Sequence, residues 1–279
     1  MASTTSTFGS ILRPEQVGEL VIQPLIQQSI AGQVLTSVMT NSHDYRIPVV
    51  AQDPSASWVA EGAEIPVTDA DVDEVLVTPK KLAGLTIITR ELANDSNPAA
   101  ADVVGAGITR DLIRKTDQAL FTATTTDGPG GIPGVSGVST VSAGASYANV
   151  DAFSDALYTA EQFNATISAW VTNPATAKAL AKVKEQSGSN KPLLGPDPTT
   201  PGRRQILGVP LLTSPYVTTT NNVVWGICTQ YAYLIVREEA EVEADRSVFF
   251  TSDRVAVRAI VRFGFGFPHP ASLVKIATS

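Results

Sequence analysis

SASWVAEGAEIPVTDADVDE, residues 55–74, contains one tryptophan and six carboxylates but no lysine, arginine or histidine. It lies between DYRIPVVAQ (Asp44–Gln52) and DEVLVTPKKLAGLTIIT (Asp73–Thr89), which we expect to pair as the strands of a hairpin. A connection of about 20 residues is longer than ordinary hairpin loops and is typical of functional or disordered segments. Trp58 and Ile65 argue against disorder. A monomer gains little from exposing them, so we expect this loop to contact another copy of the chain.

The composition favours one large globular domain, or two modest ones, with extensive contacts to partners. Of the 279 residues, 43% are hydrophobic and only 17% are charged. Ordinary globular chains have roughly 25% charged residues, so the surface of this chain is easier to bury against a partner. The alternative is a threonine-rich surface without a partner, which would have the same composition. The net charge of −7 argues against tight wrapping of DNA or RNA, because free nucleic-acid binders carry a basic footprint.

The single cysteine and the apolar runs predict a soluble chain of the cytoplasm. Cys228 excludes an intrachain disulfide and a cysteine-based zinc site, and its apolar surroundings predict a small buried residue. The N-terminal MASTTSTFGS lacks the charged and apolar regions of a signal peptide. The longest apolar runs fall far short of the roughly 20 residues of a membrane span, so we expect no contact with a membrane.

The first half of the chain predicts an arm and one long helix. Residues 1–40 are interrupted by prolines and predict an extended arm with a short helix near Gln23–Gln33. After a short helix RELAND, Asn97 is a good N-cap and Pro98 suits the first helical position. The helix then continues to about Ala123, a length of roughly 39 Å. We expect one side of this helix to face the core. The residues on that side are Val104, Ile108, Leu112, Ala119 and Leu120.

The second half of the chain mixes helices and strands. We expect a helix VDAFSDALYTAEQF capped by Asn149 or Asp151, a strand ISAWVTN, and a helix that begins at Pro174. Further strands are predicted in ILGVPLLTSPYV and NVVWGICTQYAYLIV, and two or three long ones at the C-terminus. The elements do not follow the βαβ order of a doubly wound sheet, so the predicted fold class is α+β.

No motif in the chain predicts catalysis, a cofactor or a metal. Ser42, His43 and Asp44 are sequence neighbours, whereas a catalytic triad is a spatial arrangement. His269 lies between prolines, where a structural role is expected. GPGGIPG (128–134) lacks the lysine of a phosphate loop and follows a helix, which indicates a turn at the helix C-terminus. The carboxylates of the opening stretch lack metal-binding spacing.

Taken in order, several segments resemble the major capsid protein of tailed bacteriophages along essentially the whole chain. They are the Trp–Val–x–Glu–Gly–x–x–Ile–Pro segment from Trp58, the Lys–Leu before ITREL, Gly–Pro–x–Gly–Ile after the long helix, and RVAVRAIVRFGFGFPHPASLVKI at the C-terminus. Each segment alone would be weak, but together they are specific. The resemblance implies the α+β tailed-phage capsid fold, divided into an N-terminal arm (1–44), an extended hairpin or E-loop (45–85), a P-domain with the spine helix (86–132 and 237–270) and an A-domain with a central sheet (133–236 and 271–279).

The resemblance also implies a function and partners. Copies would form hexamers and pentamers of an icosahedral shell that encloses double-stranded DNA without sequence-specific binding, assembled in the host cytoplasm as part of the virion. A portal is implied, and a cement protein is left open. The chain lacks a long charged helical segment before the arm, and because it begins at Met1 we expect a separate scaffolding protein. The alternatives are an encapsulin-like nanocompartment shell and, from a different class, a soluble α+β hydrolase.

In this family the E-loop lies across a neighbouring subunit, which implies inter-subunit contacts. Arg110 and Arg114 are four residues apart on the spine helix, so they share a face, with Lys115 beside them. We expect this face to meet the acidic loop of a neighbour. The predicted contact residues are Trp58, Glu61, Glu64, Ile65, Pro66, Asp69, Asp71, Asp73, Arg110 and Arg114.

Some members of the family join subunits by a lysine–asparagine isopeptide bond that a nearby carboxylate promotes. Here the hairpin has no lysine between Arg46 and Lys80. The acceptor position falls near Asp253, and the position of the promoting acid falls near Ile260. We therefore expect no autocatalytic cross-links.

Overall fold

The protein combines α-helices with two mixed β-sheets and a two-stranded hairpin. The computed structural model describes residues 23–52, 56–60, 62, 64, 66–67, 71–89, 100–186, 189, 192–194, 204–237, 241–245 and 253–279. Within these ranges the helices are α1 (Gln23–Gln28), α2 (Ile30–Val34), α3 (Ala100–Leu120), α4 (Asp151–Gln162) and α5 (Pro174–Ala181). The strands are β1 (Thr36–Thr40), β2 (Tyr45–Gln52), β3 (Asp71–Val77), β4 (Lys80–Thr89), β5 (Ser139–Ser142), β6 (Ala169–Thr172), β7 (Gln205–Ile206), β8 (Val209–Thr213), β9 (Val224–Ile227), β10 (Tyr233–Arg237), β11 (Glu241–Asp245), β12 (Arg254–Gly266) and β13 (Val274–Ala277).

The first sheet is organised around β12, a strand of 13 residues. Along one edge β12 pairs antiparallel with β4, from Arg254 opposite Thr89 to Phe263 opposite Lys80. It also pairs antiparallel with β11 and, further along, with β10. β1 extends the sheet by pairing parallel to β10. One strand therefore joins the segment before the long helix to the C-terminal part of the chain.

Phenylalanine and glycine alternate at the C-terminal end of β12, so the two residue types lie on opposite faces of the sheet. Phe263 and Phe265 are buried in the main core, which also includes Leu112 and Leu120 of α3. On the other face, a Cβ at Gly264 would come within 2.8 Å of Val77 Cγ1. The glycines therefore leave the room in which the base of the hairpin packs on the sheet.

The expected return strand of the hairpin is divided into two strands with different partners. β3 pairs antiparallel with β2, whereas β4 leaves the hairpin and pairs with β12. The division falls at Thr78 and Pro79, where proline has no N–H for a ladder hydrogen bond. The prediction of a single strand over Asp73–Thr89 was therefore wrong at this point.

The second sheet has the strand order β5-β13-β9-β6-β8-β7. Trp170 of β6 is fully buried beneath α4, and its ring meets that of Phe153 edge to face at 5.2 Å. Cys228, which follows β9, is buried as predicted. The helix at Pro174 also begins where it was predicted, and the Asn173 side chain caps it by accepting the N–H of Ala175.

The N-cap predicted for α4 was wrong. Val150 occupies the N-cap position and makes no side-chain capping bond. The Asn149 side chain instead accepts the N–H of Asp151, two residues along. Such a short-range hydrogen bond competes with capping for the same side-chain oxygen.

The long helix α3 was predicted correctly in type and face, and it ends at Leu120, three residues before the predicted end near Ala123. Leu112, Ala119 and Leu120 are buried, and Ile108 packs against the same core. The predicted cap at Asn97 and Pro98, the RELAND helix and the side chain of Val104 lie outside the described residues.

A buried carboxylate, Asp117, joins α3 to the N-terminal arm. Its Oδ1 accepts the N–H of Ala31 at 3.0 Å, and its Oδ2 accepts the N–H of Ile30 at 3.2 Å. These N–H groups belong to the first turn of α2 and therefore have no acceptor within the helix. The Ser29 hydroxyl accepts a third N–H group of this turn, that of Gly32. Burial raises the pKa of Asp117, and the two N–H donors offset this effect only in part. One side chain of α3 thus fixes the start of α2.

We expect Asp117→Ala to lower the free energy of unfolding by about 1–2 kcal/mol, because two buried N–H groups lose their acceptor. Urea unfolding followed by circular dichroism measures this loss. Asp111→Ala, at an exposed position of the same helix, is the matched control and should change little. Equal losses for the two variants would contradict the anchoring role of Asp117.

The GPGGIPG segment wraps around the C-terminal end of α3, as predicted for a turn at this position. The N–H of Gly131 donates to the Thr122 carbonyl at 3.1 Å. A Cβ at Gly131 would lie 2.2 Å from the Ala119 oxygen and 2.3 Å from the Leu120 oxygen. Backbone carbonyls cannot retreat as a flexible side chain can, so this position requires glycine. A Cβ at the neighbouring Gly130 would meet only the Ala123 oxygen, at 3.6 Å.

Gly131→Ala should therefore destabilise the protein by about 1–3 kcal/mol through overpacking, whereas Gly130→Ala should have little effect. The melting temperatures of the two variants and the parent protein provide the comparison. If both alanine variants have the melting temperature of the parent, the close approach of the loop to α3 is not the reason for glycine at position 131.

Candidate inter-subunit surface

The loop between β2 and β3 presents large apolar side chains to solvent. Trp58 is fully exposed, and Val67 is 92% exposed. The other two tryptophans, Trp170 and Trp225, are buried. Folding of the chain therefore does not explain the tryptophan at position 58, and its exposure is typical of a residue that a partner covers.

The strands of the hairpin carry a second exposed apolar surface. The register places Val50 opposite Val72, and both are more than half exposed. Ile47 and Val77 point to the opposite face of the hairpin and are buried against Ile235 of the first sheet. One face of the hairpin thus packs on its own subunit, and the other is left open.

The predicted contact residues of the loop are described only in part. Glu64, Pro66 and Asp73 are exposed, as a contact surface requires. Of Asp71 the structure describes the backbone, at the start of β3. Glu61, Ile65 and Asp69 lie outside the described residues.

One carboxylate of the acidic stretch already has a cation in its own hairpin. Arg46 Nη1 lies 2.5 Å from Glu74 Oε1, and both side chains are largely exposed. Arg46 is outside the quoted stretch, and the β2–β3 pairing brings it across to β3. Counting charges along the sequence missed this pair, although a cross-strand register would have indicated it.

The two predicted arginines lie on the exposed side of α3. Arg110 is exposed, and Arg114 forms an ion pair with Asp111, three residues earlier on the same helix. Exposed pairs of this kind contribute only about 0–1 kcal/mol, so Arg114 stays available for exchange with another carboxylate.

A lysine-lined groove lies beside this helix face, and no local sequence pattern predicted it. It has a volume of about 360 Å³ between the start of β4 and the C-terminal half of α3. Lys80 and Lys81 line it from the strand, Lys115 from the helix, and Asp127 from the following loop. Only the tertiary fold brings these lysines together.

The motifs considered for chemistry form no active centre among the described residues. His43 Nδ1 lies 3.1 Å from Asp44 Oδ1 on an exposed turn. A hydrogen bond from Thr78, and a weaker contribution from His43, lower the pKa of Asp44. His269 is used structurally: its Nε2 lies 3.2 Å from the Phe163 carbonyl oxygen, and its ring packs against Tyr231. Within the described ranges no group of three or more potential metal ligands occurs, and no helix is long and apolar enough to span a bilayer.

A family model described as the phage capsid family matches residues 9–278. The chain belongs to the phage capsid family. The resemblance drawn from the sequence motifs is confirmed. The capsid protein is thus a shell-forming structural component of an icosahedral phage particle, where it assembles with copies of itself, and it belongs to no enzyme family.

Solved capsid structures share the fold of this capsid protein at low sequence identity. The capsid of a native GTA particle matches at 18% identity with a TM-score of 0.72, covering 100% of this chain and 95% of that one. A structure from Microbacterium phage Oxtober96 matches at 17% identity and a TM-score of 0.72, covering 90% and 91%. One from Gordonia phage Cozz matches at 20% identity and 0.70, covering 90% and 86%. The predicted α+β capsid fold is confirmed. No curated protein matches the chain.

We expect Trp58→Ala to reduce assembly of the capsid protein while it leaves the fold intact. The side chain makes no contribution to the core, so the free energy of unfolding should change by less than about 0.5 kcal/mol. Sedimentation should show fewer assembled particles, because the aromatic anchor of the contact is lost. Trp58→Phe keeps an aromatic ring and should retain most of the assembly. Full assembly of Trp58→Ala would contradict a role in subunit contact.

Proposed function

We propose that this capsid protein forms hexamers and pentamers of a shell around double-stranded DNA, and that the hairpin of each copy lies across a neighbouring copy. The observation that carries the proposal is the apolar surface that the hairpin leaves exposed, with Trp58 and Val67 in its loop and Val50 and Val72 on its strands. Burying such a surface against a second copy removes apolar area from water, at about 25 cal/mol per Å². Many weak contacts of this kind, repeated around a shell, give a stable and correctable assembly.

The proposed division of the chain follows the same architecture. Residues 1–44 form the arm, 45–85 the E-loop, 86–132 with 237–270 the P-domain, and 133–236 with 271–279 the A-domain. Support comes from the two sheets: β5 to β9 and β13 form one, and β12 with β4 and β11 forms the other. β10 lies in the A-domain range but pairs with β12, so the chain crosses between the units along this strand.

The acidic loop and the α3 arginines are the proposed electrostatic part of the hairpin contact. Glu64 is exposed on the loop and Asp73 on β3, and Arg110 and Arg114 are exposed on the helix. Glu74 and Arg114 each have a local partner, and these exposed pairs would exchange for contacts between copies. Opposite charges at such a contact chiefly set its register and its rate of formation.

Replacing both arginines, Arg110→Glu and Arg114→Glu, should lower the yield of shells and their stability to heat. The reversed charges would face the carboxylates of the neighbouring loop and repel them. The single reversals Arg110→Glu and Arg114→Glu are compared with Arg204→Glu, an exposed arginine near the second sheet, which changes the net charge by the same amount as each of them. Light scattering during assembly measures the yield. If the double variant assembles as the parent does, the helix face is not the partner of the loop.

We further propose that the shell is held without isopeptide cross-links. The hairpin offers no lysine between Arg46 and Lys80, and the position expected for the promoting acid is Ile260, which is buried in β12. Asp253, at the expected acceptor position, is exposed at the turn before β12. Assembled particles should therefore give a single band at the monomer mass on a denaturing gel. A ladder of covalent oligomers would overturn this proposal.

The proposed partners follow from the shell function and from charge. A net charge of −7 lets a shell enclose DNA without binding it tightly or by sequence. A separate scaffolding protein and a portal would act during assembly in the host cytoplasm, and a cement protein would strengthen a shell that has no covalent links.

Negative-stain electron microscopy of the purified chain, with light scattering on the same sample, tests the proposal. Closed shells, tubes, or separate hexamers and pentamers are expected. Monomers that persist even when the chain is expressed with its neighbouring genes would contradict it. Shells that enclose protein cargo in place of nucleic acid would favour the encapsulin-like alternative.

A further inference from the structure

The lysine groove beside α3 gathers positive charge that the fold does not neutralise. Lys80, Lys81 and Lys115 border a space of about 360 Å³, and all three are exposed. In the part of the chain that the structure describes, none of these side chains makes a hydrogen bond or an ion pair. Three like charges that share one small space repel each other, and an anion from outside the chain would relieve this repulsion.

The carboxylates near the groove leave its charge open. Asp127 borders the groove but forms no ion pair with a lysine within the described residues. Asp111 lies one turn before Lys115 on α3, yet its carboxylate pairs with Arg114. The chain has 27 acidic residues against 20 lysines and arginines, so carboxylates are not scarce. The groove is thus locally basic on a chain that is acidic overall.

The other groups that line the groove suit a phosphate backbone. Gln118 and the threonines from Thr124 to Thr126 contribute an amide and hydroxyl groups, which commonly donate to phosphate oxygens. Lysine binds phosphate as a point charge without a fixed geometry. Phe263, the one aromatic residue in the described lining, is only 2% exposed, so it offers no ring for stacking on a base. These features favour the backbone of a duplex over single-stranded bases.

We propose that the lysine groove is where each copy contacts the phosphates of the enclosed DNA duplex. This inference rests on the shell around double-stranded DNA proposed above. Contacts to phosphates carry no sequence information, and salt weakens them. Three lysines per copy would therefore hold the DNA weakly at many points, which agrees with the overall negative charge of the chain.

The groove lies on a different side of α3 from the arginines assigned to the neighbouring hairpin. Lys115 is about 140° around the helix axis from Arg110 and about 100° from Arg114, given 3.6 residues per turn. An acidic loop that rests on the two arginines therefore leaves the lysine side of the helix open. DNA is then the anion that the proposed particle supplies, with one negative charge per roughly 1.7 Å of duplex.

Acetylation of lysines in DNA-filled and empty particles tests this contact. Phosphates in the groove should shield its amines, so its three lysines should be modified about threefold less in filled particles than in empty ones. Lys178 and Lys182, exposed at the C-terminal end of α5, are the internal reference and should be modified equally in both. Mass spectrometry of the digested particles measures each site.

Equal modification of the groove lysines in filled and empty particles would overturn the inference. Equally high modification would show that the lysines are merely solvated. Equally low modification would show that another copy of the chain, and not DNA, covers the groove.

A charge-neutral groove provides the second test. The variant Lys80→Gln, Lys81→Gln, Lys115→Gln should form empty shells as the parent does, because the groove is not a subunit contact. Its filled particles should release DNA at a lower temperature than the parent's, as a DNA-binding dye reports during heating. High salt should remove the difference, because it screens the phosphate contacts of the parent.

The matched control is Lys178→Gln, Lys182→Gln, Arg204→Gln, which removes three exposed cations elsewhere and should release DNA as the parent does. A folded groove variant that forms no empty shells, or that releases DNA at the parental temperature, would contradict the inference. Failure of the proposed function looks different, because the parent chain itself would then form no shells or shells without DNA.

Discussion

The antiparallel ladder between β12 and β4 is the interaction on which the rest of the molecule depends. It runs from Arg254 opposite Thr89 to Phe263 opposite Lys80 and ties the segment before α3 to the end of the chain. Because β4 is held there, the hairpin that precedes it projects from the sheet at Pro79. At Gly264 the same strand leaves room for the base of the hairpin to pack on the sheet, and its Phe263 is buried in the core under α3. One ladder thus fixes both the body of the subunit and the direction of its extension.

Local signals in the sequence were enough for the elements and the fold class, but not for the contacts between distant residues. Apolar spacing identified α3, and Pro174 marked the start of α5, since both effects act within a few residues. Pro79 is a local signal, yet the pairing of β4 with β12 and not with β2 depends on a strand near the other end of the chain. No local signal marks Asp117 as an anchor, because its partners lie 86 and 87 residues earlier.

The candidate surface shows the same division. The exposed Trp58 and the carboxylates were evident from the sequence because their neighbours in the chain offer them no partner. The ion pair between Arg46 and Glu74, which lie diagonally across β2 and β3, and the groove lined by Lys80 and Lys115 follow only from the register and the fold. Sequence and structure agree on the surfaces that folding leaves exposed, because the partner that would cover such a surface is another molecule. In the proposed assembly, that partner is another copy of the same chain.

Hydrogen–deuterium exchange of the unassembled and assembled protein tests the central claim most directly, namely that a neighbouring copy covers the open side of the hairpin. Peptides that contain Trp58, Pro66 and Val72 should exchange quickly in the unassembled chain and become protected in particles. Peptides from the buried strands β6 and β9 should be equally protected in both states. Loop peptides that exchange as quickly in particles as in the free chain would contradict the account.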